Sequence, residues 1–167
     1  MTNNDILRRL RYTLDLNDDT VINIFKHVEH TVTREQISNW LKKEEDPDYH
    51  NCNDNQLAHF LNGLITERRG KKDGPIPKAE KNLNNNLIFT KLKIAFNLKA
   101  EDVLDILALA DLTISKHELS AFFRKPDHKH YRSCKDQILR NFLMGLQLKY
   151  RPPNMQTEAF TWPDETS

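Results

Sequence analysis

The chain has 167 residues, of which 38% are hydrophobic and 29% charged, and its formal net charge is +1. This composition is typical of a soluble globular protein, and no run approaches the roughly 18 apolar residues that a membrane-spanning helix requires. The N-terminus lacks an uninterrupted apolar segment before a small-residue cleavage site, which predicts the absence of a secretory signal. Two cysteines, Cys52 and Cys134, fit a reducing compartment, so we expect a cytoplasmic protein.

Four helices are predicted in the first part of the chain. Apolar residues at helical spacing mark the first, second and fourth of them: Ile6, Leu7, Leu10 and Leu14; Val21, Ile24, Phe25 and Val28; and Leu57, Phe60, Leu61 and Leu64. The third helix begins at a capping box, in which Thr33 is followed three residues later by Gln36. A charged loop, KEEDPDYHNCND at residues 43–54, then leads into the fourth helix.

The whole unit occurs twice. When the chain is shifted by 82 residues, residues 3–65 align with residues 85–147 without a gap, and 18 of the 63 pairs are identical. Asn3 and Asn4 align with Asn85 and Asn86, and the loop returns as KPDHKHYRSCKD, in which Lys, Tyr, Cys and Asp keep their spacing. We therefore predict an all-α protein built by tandem duplication of a four-helix unit, with about eight helices.

The predicted organisation has four segments. They are a first helical repeat at 1–67, a charged Gly/Pro linker at 68–84, a second helical repeat at 85–150, and an extended or disordered tail at 151–167. Their net charges are −5, +4, +4 and −2 in that order. This asymmetry fits repeats held face to face, head-to-tail association, a basic half that meets an anion, or solvated surface charge alone.

Two features predict surfaces of close contact. The second helix of copy two has Leu109 and Leu112 where copy one has histidines, so it must be buried either in a larger core or against another chain. Gly63 and Gly145 occupy equivalent positions in the fourth helices, although a glycine inside a helix costs about 1 kcal/mol relative to alanine. They indicate a close backbone approach, for example between the two fourth helices, or alternatively a helix end.

A second interpretation is nucleic-acid binding. In both copies the second helix, a short turn and the capped third helix resemble a helix-turn-helix, whose last helix enters the major groove. The predicted contacts lie on the third helices and in the linker: Arg34, Asn39, Lys42, Lys116 and Arg124, with Arg68, Arg69, Lys71 and Lys72. Against this interpretation, the turn lacks the frequent glycine and copy one is acidic.

No catalytic constellation is recognisable, so we predict neither an enzyme nor a cofactor. His128, His130 and Cys134 are metal-ligand types at short spacing, but copy one has Asp46 and Asp48 at the histidine positions, and no fourth ligand follows. The cysteines are instead predicted to be buried thiols at the start of the fourth helix, with the loop tyrosines pinning each loop.

The stretches LRYTLDLNDD, ISNWLKKEED, LAHFLNGL and RRGKKDGPIPKAE resemble the YehS-like family of bacterial proteins, a family of unknown function with two copies of its domain. The resemblance covers nearly the whole chain except the tail. It implies a helical cytosolic protein and brings no activity and no catalytic residues. The predicted role is therefore a non-enzymatic helical adaptor that binds a protein partner or itself, with nucleic-acid binding as the alternative.

Overall fold

The computed structural model describes residues 1–152, and the predicted tail from residue 153 onward lies outside that range. The described part of the chain contains eight α-helices and no strand, which confirms the predicted all-α duplication. The helices are α1 (Asn3–Thr13), α2 (Asp18–Lys26), α3 (Arg34–Leu41), α4 (Asp54–Arg69), α5 (Asn85–Ala95), α6 (Ala100–Leu109), α7 (Lys116–Phe122) and α8 (Asp136–Tyr150). We call α1–α4 repeat 1 and α5–α8 repeat 2. None of these helices combines the length and the apolar character needed to cross a membrane.

Some helix ends have the same conformation in both repeats. Both predicted capping boxes are present, at the starts of α3 and α7. The left-handed backbone positions also recur 82 residues apart: Asp15 (φ 52°) matches Asn97 (φ 53°), and Glu29 (φ 55°) matches Asp111 (φ 61°). A non-glycine residue at positive φ is uncommon, so two such matched pairs show that the duplication extends to the backbone conformation.

Within each repeat, the second helix packs against the fourth, α2 on α4 and α6 on α8. Gly63 and Gly145 are interior to α4 and α8, so the predicted helix end is wrong. A Cβ built on Gly63 would lie 2.8 Å from the carbonyl carbon of Ile24 in α2, and one built on Gly145 equally close to that of Ile106 in α6. The predicted close approach is therefore present, but it joins the second and fourth helices of one repeat, not the two fourth helices.

The two repeats pack through equivalent surfaces. α4 packs against α5 and α1 against α8, and these two pairings are exchanged by the duplication. In the first of them, Nζ of Lys91 donates to Oδ1 of Asn62 at 2.7 Å and lies 3.1 Å from a carboxylate oxygen of Glu80. The repeats consequently form one helical body with a common central bundle of α1, α4, α5 and α8.

The connection between the repeats is partly docked. α4 continues through Arg68 and Arg69, so the irregular segment begins at Gly70, two residues later than predicted. Its second half is fastened to α4, because Asn55 donates to the Glu80 carbonyl at 2.9 Å and the Leu83 N–H donates to Asp54 at 2.8 Å. The connection is therefore partly packed against repeat 1, although its sequence is highly charged.

Candidate nucleic-acid interface

A pair of asparagines at the start of the first helix of each repeat holds the end of the third helix and the loop after it. In repeat 2, Nδ2 of Asn86 donates to the carbonyls of Phe122 (3.0 Å) and Arg132 (2.8 Å), and its Oδ1 accepts from the Cys134 N–H (2.9 Å). Its neighbour Asn85 bonds the Cys134 carbonyl at 3.0 Å. These two asparagine side chains therefore bond the end of α7 and the loop that follows it, which anchors the loop at both ends.

Repeat 1 makes the same bonds with Asn3 and Asn4. The loops also share a local turn, although its residues differ. In repeat 1 the Asp46 carboxylate accepts from the Asp48 N–H at 2.9 Å, and in repeat 2 Nδ1 of His128 accepts from the His130 N–H at 3.0 Å. The two repeats therefore present different side chains on one scaffold.

The charge on that scaffold is opposite in the two repeats. Residues 116–135, which we call the basic surface, hold six lysines and arginines against two acidic residues, net +4, together with three histidines. The equivalent residues 34–53 hold three lysines and arginines against five acidic residues, net −2, with one histidine. On the basic surface Arg124, Lys125, Lys129 and Arg132 are all exposed. A polyanion would thus be attracted to the basic surface and repelled from its counterpart in repeat 1.

The basic surface is also recessed. A cavity of about 660 Å³, which we call the repeat 2 cleft, lies between α7 and the following loop. Its buried lining is Ala121 and Phe122, its half-buried lining is Tyr131, and its exposed lining includes His117 and Arg132. Further recesses of about 670 Å³ and 280 Å³ lie beside Phe123 and Arg124. The cations therefore surround concave, partly aromatic surface.

Two predicted contact residues form equivalent ion pairs. Arg34 pairs with Asp19 and lies 3.8 Å from Asp18, while Nζ of Lys116 lies 2.7 Å from Glu101. These pairs tie the third helix of each repeat to the second. Since both are exposed, each contributes little to stability and can be exchanged for a phosphate.

Lys42 and Arg124 were predicted on the third helices, but both lie just past the helix ends, since α3 ends at Leu41 and α7 at Phe122. In repeat 1, Nζ of Lys42 donates to Oδ1 of Asn39 at 2.8 Å, so these two predicted contacts satisfy each other beside an acidic loop. Arg124, the equivalent of Lys42, instead lines the two recesses beside Phe123. Of the predicted third-helix contacts, Arg124 is the one whose surroundings are basic and open.

The predicted linker contacts do not form one patch. Arg68 belongs to α4 and stacks on Phe96, with 4.3 Å between its guanidinium carbon and the ring centroid. Its Nε also donates to the Ala95 carbonyl at 3.3 Å. The guanidinium therefore braces the contact between repeats, which corrects its assignment as a linker cation. Arg69, Lys71 and Lys72 are exposed where α4 ends and the connection begins.

The helix-turn-helix geometry differs from the prediction. Seven residues separate α2 from α3 and six separate α6 from α7, whereas a short turn was expected and the turn of the DNA-binding motif has three or four residues. α7 has only seven residues, and at its capping box the Glu118 carboxylate accepts from the Ser115 N–H while the Glu118 N–H donates to the Ser115 hydroxyl. The third helices are thus short elements beside a loop, not free recognition helices, and the basic groups lie largely on that loop.

Most of the apolar side chains of α6 are buried in the core of repeat 2. Ile106 and Leu107 are fully buried, and Leu112 is half-buried against the same core. Leu109 remains 49% exposed, and Ile94 on α5 is 45% exposed. The larger-core interpretation therefore accounts for most of this helix, and Leu109 is left as the candidate for contact with another chain.

In repeat 1 the same positions carry histidines. The rings of His30 and His59 stack with centroids 4.2 Å apart, and His27 lies 2.7 Å from Glu67. Burial, and then the charge of His59, lowers the pKa of His30. The two repeats therefore differ here too, with a titratable cluster in one and leucines in the other.

The cysteines are structural. Cys52 and Cys134 are buried, and burial followed by the neighbouring Asp54 or Asp136 raises the pKa of each to about 12. Such thiols are protonated at neutral pH and are poor nucleophiles. Within residues 1–152, no three His, Cys, Asp or Glu side chains converge in a way that would hold a metal ion.

Sequence reasoning missed the asparagine clamp and the loop cations Lys125, Lys129 and Arg132. The tyrosines were expected to pin the loops, yet the Tyr49 hydroxyl bonds only locally, to Asn51 at 3.0 Å. The repetition of the Asn–Asn pair was visible in the alignment, but its hydrogen bonds join positions about 36–51 residues apart. A charge count confined to the two loops, instead of whole repeats, would have found the cations.

Comparison with known proteins supports the duplication. The chain is 45% identical over 147 residues to "Uncharacterized protein YehS" of Escherichia coli (strain K12), covering 87% of this chain and 94% of that protein. No solved structure matches the chain. A family model matches it twice, over residues 3–70 and 85–151, in register with the two repeats. The chain therefore belongs to the family described as "Protein of unknown function (DUF1456)".

Proposed function

We propose that this protein binds nucleic acid through the basic surface of repeat 2. The observation that carries the proposal is the charge reversal on a common scaffold, net +4 at residues 116–135 against net −2 at residues 34–53. A structural requirement would apply to both loops equally, because the clamps and turns are the same. The cations of one loop are therefore best explained by a ligand that only this loop meets.

The kind of ligand follows from what accompanies the charge. Phe123 is half-buried between two recesses, with Nζ of Lys93 5.4 Å from its ring centroid, and Tyr131 is half-buried in the repeat 2 cleft. Lysines and arginines interleaved with aromatic rings are the combination that binds phosphates and stacks bases. The proposed role is binding without catalysis.

The test is fluorescence anisotropy with labelled mixed-sequence single strands and duplexes over a series of salt concentrations. We expect binding at low salt, with log K falling by about 0.7–0.9 per log unit of salt for each phosphate contacted. Replacing Arg124 and Lys125 by glutamine should weaken binding about tenfold and flatten the salt slope by about 1.4–1.8.

The duplication supplies a matched control. Lys42 and Lys43 occupy the equivalent positions of repeat 1, on the acidic loop. Their replacement by glutamine removes the same two charges from the protein and should leave binding unchanged. Equal losses from the two double variants would show that only net charge matters. Failure to bind any nucleic acid at low salt would refute the proposal.

The second candidate function is the predicted helical adaptor, favoured by the exposure of Leu109. An apolar contact persists at high salt, whereas phosphate binding does not. Light scattering of the wild type and of Leu109→Glu distinguishes the two. Salt-resistant self-association that the substitution abolishes, without nucleic-acid binding, would establish the adaptor in place of our proposal.

A further inference from the structure

We infer that the repeat 2 cleft receives one unpaired nucleotide, which makes single-stranded nucleic acid the preferred ligand of this protein. The inference rests on the proposed function. It specifies that the nucleic acid is single-stranded and that one base binds in the cleft. A volume of about 660 Å³ lies within the range of about 300–1,000 Å³ that small-ligand clefts occupy. The cleft is thus large enough for a single nucleotide unit.

Several residues that line the cleft differ from their equivalents in repeat 1. At its base stands Ala121, where repeat 1 has Asn39, a larger side chain that accepts a hydrogen bond from Lys42. Around it, His117 replaces Glu35 and His130 replaces Asp48. The backbone behind these changes is the same, since Ala121 and Asn39 both accept a loop N–H at 3.1 Å. Although Glu118 of the cleft replaces Gln36, the eight lining positions change from net −2 in repeat 1 to net +1 in repeat 2 on an unchanged frame.

The lining has two chemical parts. Tyr131 is half-buried, so its ring offers aromatic surface against which a base can stack, and the core residue Phe122 contributes an apolar part of the wall. Lys129, His130 and Arg132 are exposed around the opening and can meet the phosphates on either side of that base. An acidic protein segment would use the cations but would leave the aromatic recess without a planar partner.

A duplex satisfies this arrangement poorly. A base can enter the cleft only after leaving its stack, which costs more free energy in a duplex than in a single strand. The alternative, insertion of α7 into a groove, brings Glu118 toward the phosphates, and its carboxylate already accepts from the Ser115 N–H at 3.2 Å. Single strands therefore gain stacking that duplexes do not.

The deciding variant is Ala121→Asn, which fills the cleft with the repeat 1 residue and changes no charge. We expect wild-type protein to bind a labelled 12-nucleotide single strand at least tenfold more tightly than the matched duplex. Ala121→Asn should weaken single-strand binding by about 5- to 150-fold, the range for loss of one stacked base. The salt slope and the duplex affinity should not change. Asn39→Ala, the reverse change in repeat 1, is the control and should have no effect.

A second measurement does not depend on the variant folding. A single strand carrying 4-thiouridine at alternate positions is cross-linked by light to wild-type protein, and the modified peptide is identified by mass spectrometry. The cross-link is expected on Tyr131 or Phe122. Cross-links confined to other segments, or single-strand binding that Ala121→Asn leaves intact, would overturn the inference.

The outcomes separate this inference from the proposed function. If Arg124 and Lys125 are required but duplex and single strand bind equally, the cleft does not take a base, while nucleic-acid binding stands. If neither form binds at low salt, both proposals fail. Competition by free nucleoside monophosphate at millimolar concentration would support the cleft as a nucleotide site that does not require a strand.

Discussion

Replacing Gly63 by alanine tests how closely α4 lies against α2. At an open position in a helix, this change stabilises a protein by about 1 kcal/mol. Here the new Cβ would lie 2.8 Å from the carbonyl carbon of Ile24 and 2.9 Å from its Cγ2, whereas carbon atoms in contact prefer about 3.5–4.0 Å. The two helices must therefore separate by roughly 1 Å.

The magnitude follows from these two opposing effects. Overpacking costs about 1–3 kcal/mol, and the upper end applies because the obstacle is backbone that cannot rotate away. Subtracting the gain in helix propensity leaves a net loss of about 2 kcal/mol in the free energy of unfolding. Gly145→Ala should lose a similar amount, because its Cβ would be equally close to Ile106 of α6.

The assay is urea unfolding followed by circular dichroism at 222 nm. Asn23→Ala, at an exposed position of α2, is the control for helix propensity and should be neutral or slightly stabilising. A Gly63→Ala protein as stable as the wild type, or more stable, would refute the close packing of α4 on α2. It would leave the glycine without a structural reason.

Three further predictions concern the clamp, the histidines and the thiols. Asn86→Ala removes three hydrogen bonds, two of them buried, and should lower the free energy of unfolding by about 3 kcal/mol in urea titrations; a loss below about 1 kcal/mol would contradict the clamp. Burial and His59 hold the pKa of His30 below its ordinary 6.5, so the unfolded chain takes up the proton first. Stability from this ring is complete above about pH 6.5 and is lost as pH falls below it, and His30→Leu, the repeat 2 residue, should flatten that part of the profile of unfolding free energy against pH. With a pKa of about 12, Cys134 should react with iodoacetamide at pH 8 only after unfolding, as mass spectrometry would show.

The periodicity and the self-alignment were sufficient for the fold class. Helix formation depends on apolar spacing and capping residues that are close in sequence, so eight helices and both capping boxes could be predicted. The self-alignment also showed which residues of the two repeats are equivalent. It also identified Gly63 and Gly145 as a pair, although not their neighbours, because spacing along one helix does not tell which helix lies opposite.

The candidate site was only partly accessible to sequence reasoning. Arg124 was found because it lies on a predicted helix, whereas Arg132 lies in a loop whose shape depends on Asn86, 46 residues away. Arg68 was assigned to the linker because it begins a run of basic residues, and only the packed structure places its guanidinium on Phe96. The sequence alone does not distinguish a charged side chain that packs between helices from one that faces solvent.

By itself, the sequence determined that this protein is a duplicated helical unit with one acidic and one basic half, since spacing and charge are properties of the chain. The tertiary structure decided what the difference between the halves can do. Long-range hydrogen bonds to Asn4 and Asn86 hold the two loops alike, and Ala121, the counterpart of Asn39, lines a cleft on the basic surface. A cleft depends on which side chains meet across distant segments, and that information exists only once the helices have packed.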